Sequence, residues 1–214
     1  MLQHLGEEIT IDDVTYPIGH LVPFFHTLPG VGIDGADLRV RISFSCHVFS
    51  EKALHNEQFD MRDQNESPRR FDRTRYDRSL TLPNDVRTLL DSNGVTWEMK
   101  DHNNIENMAA LTDVPDLKVI KGTFDVILYY LYPSQAEHFD VEMNVLTCHV
   151  RSVNTESKHK LDMRQALRTC IYSRERLPMT AEKRRTLALE RAAENAAKKK
   201  AKLEKRKLAR GAKP

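Results

Sequence analysis

Apolar and polar side chains alternate along the segment Leu38–Phe49 (LRVRISFSCHVF), without exception as far as Val48. Successive side chains of a β-strand point to opposite faces, so this pattern predicts one strand with a buried side and a polar side. The predicted buried side consists of Leu38, Val40, Ile42, Phe44, Cys46 and Val48. The predicted polar side consists of Arg39, Arg41, Ser43, Ser45 and His47. A strand of this kind needs a core on one face, which points to a sheet-based fold.

The polar side of this strand carries residues suited to phosphate chemistry. Arginine binds phosphate, and histidine transfers protons because its ordinary pKa lies near neutrality. We therefore predict a metal-independent cleavage site for RNA, with His47 as general base or acid and Arg39 and Arg41 stabilising the phosphorane. A surface row of polar side chains without a catalytic role is the alternative.

Charge is distributed unevenly along the 214 residues. Leu177–Pro214 contains 13 Lys and Arg against 4 Glu and carries +9, whereas the remainder contains 20 Lys and Arg against 27 Asp and Glu and carries −7. This difference predicts a boundary near Pro178. The expected organisation is one domain over residues 1–176 and a basic helical tail over residues 177–214, partly disordered when free.

The tail is rich in Ala, Leu, Glu, Lys and Arg, all of which favour helix. Its lysines and arginines predict a salt-dependent affinity for a polyanion, with RNA favoured. An acidic protein surface is the alternative partner. A membrane is not expected, because no broad apolar face accompanies the charges. The residues assigned to nucleic acid in the tail are Lys198, Lys199, Lys200, Lys205, Arg206 and Lys207.

The pattern of elements before the tail predicts an α+β fold, with a mostly antiparallel sheet and a few helices packed on one side. The expected strands are Ile9–Ile18, Leu38–Phe49, Val95–Met99, Leu117–Leu131 and Phe139–Val150, the last two joined as a hairpin. The expected helices are Leu82–Ser92, which Pro83 opens, and Leu161–Leu177, followed by the long basic helix of the tail.

The segment 51–78 is almost wholly polar and predicts an exposed or mobile loop. It contains SPRRFDRTRYDR, in which arginines alternate with aromatic residues that offer a stacking surface to unpaired bases. Nucleic-acid contact is assigned here to Arg69, Arg70, Arg73 and Arg75. Because Asp72 and Asp77 are interspersed, an ordinary solvated loop is the alternative.

Two Cys-His pairs, Cys46-His47 and Cys148-His149, end predicted strands. Neighbours on a strand point to opposite faces, so neither pair can ligate one metal ion without a bulge. We therefore expect no metal and no cofactor. His149 falls on the apolar face of its strand and can join His47 in a catalytic site only if that strand bulges or both faces are covered.

Three cysteines form no even disulfide framework, and the acidic N-terminus lacks the apolar run of a signal peptide. No apolar run approaches the length that spans a bilayer. These features predict a cytoplasmic protein with free thiols.

The order FSCHVFSE, RRFDRTRYDRSL, a helix opened by LP, FDVILYYLY and VEMNVLTCHV resembles a group of uncharacterised bacterial proteins associated with prophages and mobile elements. The resemblance covers residues 38–150. That group is similar in outline to toxin ribonucleases of the RelE and barnase type, which implies an RNA-cleaving α+β domain. Members of the group end the last strand with Ser-Ala-Tyr, where this chain has Thr147-Cys148-His149.

Together, these features predict an RNA-directed protein of a bacterial mobile element that is a metal-independent endoribonuclease. A non-catalytic module that binds nucleic acid or protein, and a phage assembly component, are the alternatives.

Overall fold

The computed structural model describes residues 7–54, 57–63, 65–100, 105–110, 120–134, 136, 138–156 and 158–172. Contacts divide the chain into Met1–Arg176 and Leu177–Pro214. The second unit lies outside the described residues. The predicted basic helix, with its six lysines and arginines assigned to nucleic acid, therefore stays a prediction.

The described residues form twelve strands and three α-helices. The strands are β1 (Glu8–Ile11), β2 (Val14–Pro17), β3 (Phe24–Leu28), β4 (Leu38–Phe44), β5 (Ser50–Lys52), β6 (Met61–Arg62), β7 (Pro68–Phe71), β8 (Val95–Lys100), β9 (Ile105–Ala110), β10 (Lys121–Pro133), β11 (Val141–Asn154) and β12 (His159–Asp162). The helices are α1 (Arg73–Ser79), α2 (Leu82–Asp91) and α3 (Met163–Tyr172).

Seven strands form the main sheet in the order β12-β8-β9-β10-β11-β4-β3. All neighbours in it are antiparallel except β11 and β4, which are parallel. A hairpin joins β10 and β11, as the sequence predicted. The predicted α+β class with a mostly antiparallel sheet is thus confirmed.

The core forms where β4 and β11 meet the two longer helices. The apolar side of the Leu38–Phe49 segment is fully buried, as predicted. Helix α2 buries Leu82, Val86 and Leu90 in the same cluster, and α3 adds Leu167 and Cys170. Packing of one apolar helical face against the sheet is what stabilises helices of this length in water.

Several predicted boundaries are wrong. The Ile9–Ile18 segment is a hairpin, β1 and β2, because Asp12 and Asp13 adopt the left-handed conformation that asparagine and aspartate tolerate in tight turns. Helix α3 begins at Met163, since the residues before it pair with β8 as strand β12. The predicted continuation of α3 beyond Tyr172 lies outside the described residues.

The prediction that residues 51–78 form a loop is also wrong. Strands β5, β7 and β6 build a small antiparallel sheet in this order, and helix α1 follows it. Polar residues hold these elements together through local partners. Arg70 of β7 pairs with Glu51 of β5, and the Asp72 carboxylate caps α1 by accepting from the Arg75 amide at 3.1 Å. Hydrogen bonds and ion pairs therefore replace the apolar periodicity on which sequence patterns depend.

Candidate functional site

A 3-10 turn over Cys46–Val48 follows β4 and positions His47. The turn starts at Ser45, whose hydroxyl oxygen accepts a hydrogen bond from the His47 amide at 3.3 Å. Cys46 and Val48 stay buried, while the His47 side chain is 30% exposed. The turn thus keeps the apolar residues in the core and directs His47 away from the row that strict alternation predicted.

The His47 imidazole contacts a buried carboxylate. Its Nε2 lies 2.9 Å from Oδ2 of Asp63, whose side chain is only 5% exposed. The other carboxylate oxygen of Asp63 accepts hydrogen bonds from the Asn65 amide at 2.8 Å and the Ser67 amide at 3.0 Å. Because three donors fix this carboxylate, it holds the imidazole in one orientation.

The charges at this pair determine the tautomer of His47. Burial raises the pKa of Asp63, but hydrogen bonds from His47 and from the Asn65 and Ser67 amides outweigh it, so that pKa lies below its ordinary value. Burial lowers the pKa of His47, and the charges of Arg69 and Arg75 add to the effect. A neutral imidazole beside a carboxylate donates through Nε2, which leaves Nδ1 with a lone pair. Nδ1 has no hydrogen-bond partner among the described residues, so it can accept a proton.

Arg69 places a buried guanidinium beside this pair. The residue is 7% exposed, and its nitrogens donate to the Ser50 hydroxyl at 3.2 Å and to the Ser50 carbonyl at 2.8 Å. It forms no ion pair within the described part of the chain. Burial lowers the pKa of Arg69, while the nearby charge of Asp63 acts in the opposite direction. An arginine remains charged under these conditions, so Arg69 is a fixed cation near His47.

Arg75 supplies a second cation from helix α1. One of its terminal nitrogens donates to the Ser50 carbonyl at 2.9 Å and to the His47 carbonyl at 3.4 Å. Its Nε lies 3.3 Å from the Asp72 carboxylate, which caps the same helix. The cap and the ion pair tie Arg75 to the turn that carries His47.

His149 reaches the same region because β11 bulges. Tyr129 pairs with Val145 and Leu128 with Thr147, so Leu146 has no partner in the ladder. Such a bulge shifts the alternation of all later side chains. The sequence analysis predicted that His149 can lie with His47 if this strand bulges, and β11 does contain that bulge.

The His149 side chain is partly exposed, and its Nδ1 lies 3.0 Å from the Thr147 hydroxyl. Burial lowers the pKa of His149, and the charges of Arg75 and Arg151 lower it further. Arg75 therefore acts electrostatically on both histidines. We call His47, Asp63, Arg69, Arg75 and His149 the histidine–arginine cluster.

The other two predicted catalytic residues are not in this cluster. Strand β4 ends at Phe44, so the prediction that Arg39, Arg41 and His47 form one row on a single strand is wrong. Arg41 pairs with Glu142 at 2.5 Å, and Arg39 lies over the Phe25 ring at 5.5 Å. At about 3.3 Å per residue, Arg41 lies roughly 10 Å along β4 from its last residue.

The arginines of the 67–78 segment divide into two groups. Arg69 and Arg75 belong to the cluster, whereas Arg70 and Arg73 are largely exposed and pair with Glu51 and Asp77. The sequence pattern did not single out Asp63, which lies in a polar run without apolar periodicity. The one available signal was the run of turn-forming residues around it, DQNES, in which the Asp side chain caps its own turn.

The thiols have a structural role. Cys46, Cys148 and Cys170 are buried, and none of them forms a disulfide within the described residues. Burial raises the pKa of Cys46, and it raises that of Cys148 to about 12. Neither thiol is therefore ionised near neutral pH, which removes the main requirement for a nucleophile or a metal ligand. The described residues contain no group of three or more His, Cys, Asp and Glu side chains placed to hold a metal ion.

The fold and the site define an α+β protein in which a histidine–carboxylate pair lies beside two arginines. The chain belongs to the YjaZ family, which it matches over residues 8–174. Comparison with curated proteins and with solved structures finds no match.

Within the described residues, no helix is both long enough and apolar enough to cross a bilayer.

Proposed function

We propose that this protein is a cytoplasmic, RNA-directed protein of a bacterial mobile element and a metal-independent endoribonuclease that acts at the histidine–arginine cluster. The observation that carries the proposal is the 2.9 Å contact between His47 and the buried Asp63, beside Arg69 and Arg75. An imidazole fixed as a neutral base next to permanent cations is what RNA cleavage without a metal requires.

The reaction begins at His47. Its Nδ1 takes the proton from a ribose 2′-hydroxyl, and the 2′-oxygen attacks the adjacent phosphorus. The bond from phosphorus to the 5′-oxygen of the next nucleotide then breaks, which leaves a 2′,3′-cyclic phosphate. We assign the proton for the departing 5′-oxygen to the protonated form of His149. Arg69 and Arg75 offset the negative charge that develops on the phosphorane.

The assignment of the cations differs from the one made on sequence. Arg39 and Arg41 were expected to stabilise the phosphorane, but Arg41 is engaged by Glu142 and both lie at least three residues before the end of β4, where the turn of His47 begins. Arg69 and Arg75 replace them because their charges act directly on His47. The basic tail, with +9 over residues 177–214, would add affinity for the RNA backbone without sequence preference.

The test is cleavage of a labelled single-stranded RNA by the full chain in the presence of a chelator. We expect His47→Ala to lower the rate about 10²- to 10⁴-fold, the usual contribution of a general base. His26→Ala is the matched control, because His26 also pairs with a carboxylate, Asp91 at 2.8 Å. The control should cleave at the parental rate and yield the same cyclic phosphate ends.

Equal rates for the two variants would contradict the enzymatic proposal. Salt-dependent RNA retention without cleavage would then identify a binding module. Stoichiometric recovery with a phage protein would identify an assembly component.

A further inference from the structure

A cleft of about 500 Å³ lies between the β1–β2 hairpin and the small sheet. A cavity of this size is within the range of small-molecule sites. The residues of its lining that matter here are Asp12, Tyr16, Glu57, Asp60, Phe71 and Arg73. With Arg70, which also lines the cleft, they combine an aromatic wall, three carboxylates and two arginines, and none of them belongs to the histidine–arginine cluster.

The aromatic wall is built from Tyr16 and Phe71. Their ring centroids lie 4.5 Å apart, and the Tyr76 ring packs edge-on against Tyr16 at 5.2 Å. The Arg73 guanidinium lies over the Tyr16 ring, 5.4 Å from its centroid. Packing on several sides fixes Tyr16 and Phe71 in place. Fixed aromatic rings beside an arginine are the usual stacking surface for an unpaired base.

The carboxylates of the cleft retain unused acceptors. Asp60 accepts from the Phe71 amide at 2.7 Å with Oδ2, and Glu57 accepts from the Leu54 amide at 2.9 Å with Oε2. Their remaining oxygens, Oδ1 and Oε1, have no hydrogen-bond partner among the described residues, and the Asp12 carboxylate has none there either. Arg70 also lines the cleft, where it pairs with Glu51 and lies 3.9 Å from Oε2 of Glu57. The unused carboxylate oxygens beside it suit a group with several N–H donors.

We propose that this cleft binds an unpaired guanine base of the RNA. Guanine carries an N1–H and an N2 amino group side by side, so unused carboxylate oxygens of the cleft can accept from both, whereas uracil offers one N–H and adenine and cytosine offer an amino group alone. The inference rests on the proposed function, since that function makes RNA the substrate.

The chain links the cleft to the histidine–arginine cluster. Strand β7 contributes Arg69 to the cluster and Phe71 to the cleft, and helix α1 contributes Arg75 to the cluster and Arg73 to the cleft. Phe71 and Arg69 are two residues apart on β7, roughly 7 Å, so a base in the cleft and a phosphate at the cluster can belong to one RNA strand. The cleft selects the nucleotide next to the bond that is cut.

The experiment is titration of the full chain with GMP, AMP, CMP and UMP by isothermal calorimetry. We expect GMP to bind at least about tenfold more tightly than the others, in line with one bidentate contact. Tyr16→Leu, Glu57→Gln and Asp60→Asn should each weaken GMP binding. Tyr16→Phe keeps the ring and should retain it. Glu156→Gln changes an exposed carboxylate elsewhere and is the matched control.

Equal affinity for the four nucleotides would overturn the inference, and so would GMP binding that all three variants leave unchanged in proteins with the parental melting temperature. Binding of spermine to the cleft, without binding of GMP, would overturn it in favour of a cationic ligand. His47→Ala should retain GMP binding. If GMP is not preferred but cleavage still depends on His47, the guanine-binding proposal is wrong and the enzymatic proposal stands. If GMP is preferred but no cleavage depends on His47, the enzymatic proposal is wrong and the guanine-binding proposal stands.

Discussion

Two histidine–aspartate pairs in this protein have almost the same length but different surroundings. His47 and Asp63 lie 2.9 Å apart, and His26 and Asp91 lie 2.8 Å apart. The Asp63 side chain is 5% exposed and accepts two backbone hydrogen bonds, whereas the Asp91 side chain is 63% exposed. Distance alone therefore does not distinguish a site from a surface contact.

The difference lies in what surrounds each carboxylate. Water screens an exposed pair such as His26–Asp91, and such pairs contribute little. The Asp63 carboxylate is shielded from water and held by backbone amides, so it orients its histidine and fixes the tautomer. The charges of Arg69 and Arg75 also act on His47 and lower its pKa.

The largest expected difference between the pairs concerns cleavage. Asp63→Asn preserves the shape of the side chain but removes the charge that keeps the Nε2 proton of His47 in place. We expect the rate of RNA cleavage to fall about 10²-fold or more, because the imidazole can then adopt the wrong tautomer. Asp91→Asn should cleave within about twofold of the parent in the same assay. Parental activity of Asp63→Asn would show that His47 does not act as an oriented base.

The next difference concerns stability. Asp63→Ala leaves the Asn65 and Ser67 amides and the His47 ring without their acceptor, which should lower the free energy of unfolding by about 3 kcal/mol. Asp91→Ala removes one exposed pair and should cost less than about 1 kcal/mol. Urea denaturation followed by circular dichroism measures both values. An equal decrease in the free energy of unfolding for both variants would contradict the claim that the burial of Asp63 makes its hydrogen bonds more stabilising.

The smallest expected effect is a dependence of stability on pH. Burial lowers the pKa of His47, and likewise of His20 and His149, below 6.5 in the folded state. The unfolded chain then binds more protons at pH values around and below 6.5, so stability is complete above that value and is lost as the pH falls. We expect the free energy of unfolding to decrease from pH 7 to pH 5. His47→Asn should reduce that slope, and an unchanged slope would exclude His47 as a contributor.

Much of the fold follows from the sequence pattern. Alternation in Leu38–Phe49 identified a buried strand, and Pro83 marked the start of α2. The hairpin of β10 and β11 followed from two apolar runs joined by a short turn. These features are local, and apolar periodicity records them because one face of each element must leave water.

The candidate site was only partly predictable. His47, His149, Arg69 and Arg75 were all candidates, but the sequence assigned them to three separate segments and joined His47 to Arg39 and Arg41 instead. The error arose because the strand ends at Phe44, three residues before His47. Ser45 then caps the turn that carries His47. The segment 51–78 was predicted as a loop because its sheet and helix are held by polar contacts, which leave no apolar period in the sequence.

The sequence by itself determined the buried apolar side of segments such as Leu38–Phe49, because burial of apolar surface follows from the chemistry of each side chain and its period along the chain. It also determined the types of residue available for chemistry, imidazole and guanidinium. Only the tertiary structure decided which of them meet. The turn at Cys46–Val48, the bulge at Leu146 and the cap at Asp72 bring His47, His149 and Arg75 into electrostatic range of one another. Such encounters depend on backbone hydrogen bonds between distant segments, which a periodic pattern of side chains does not record.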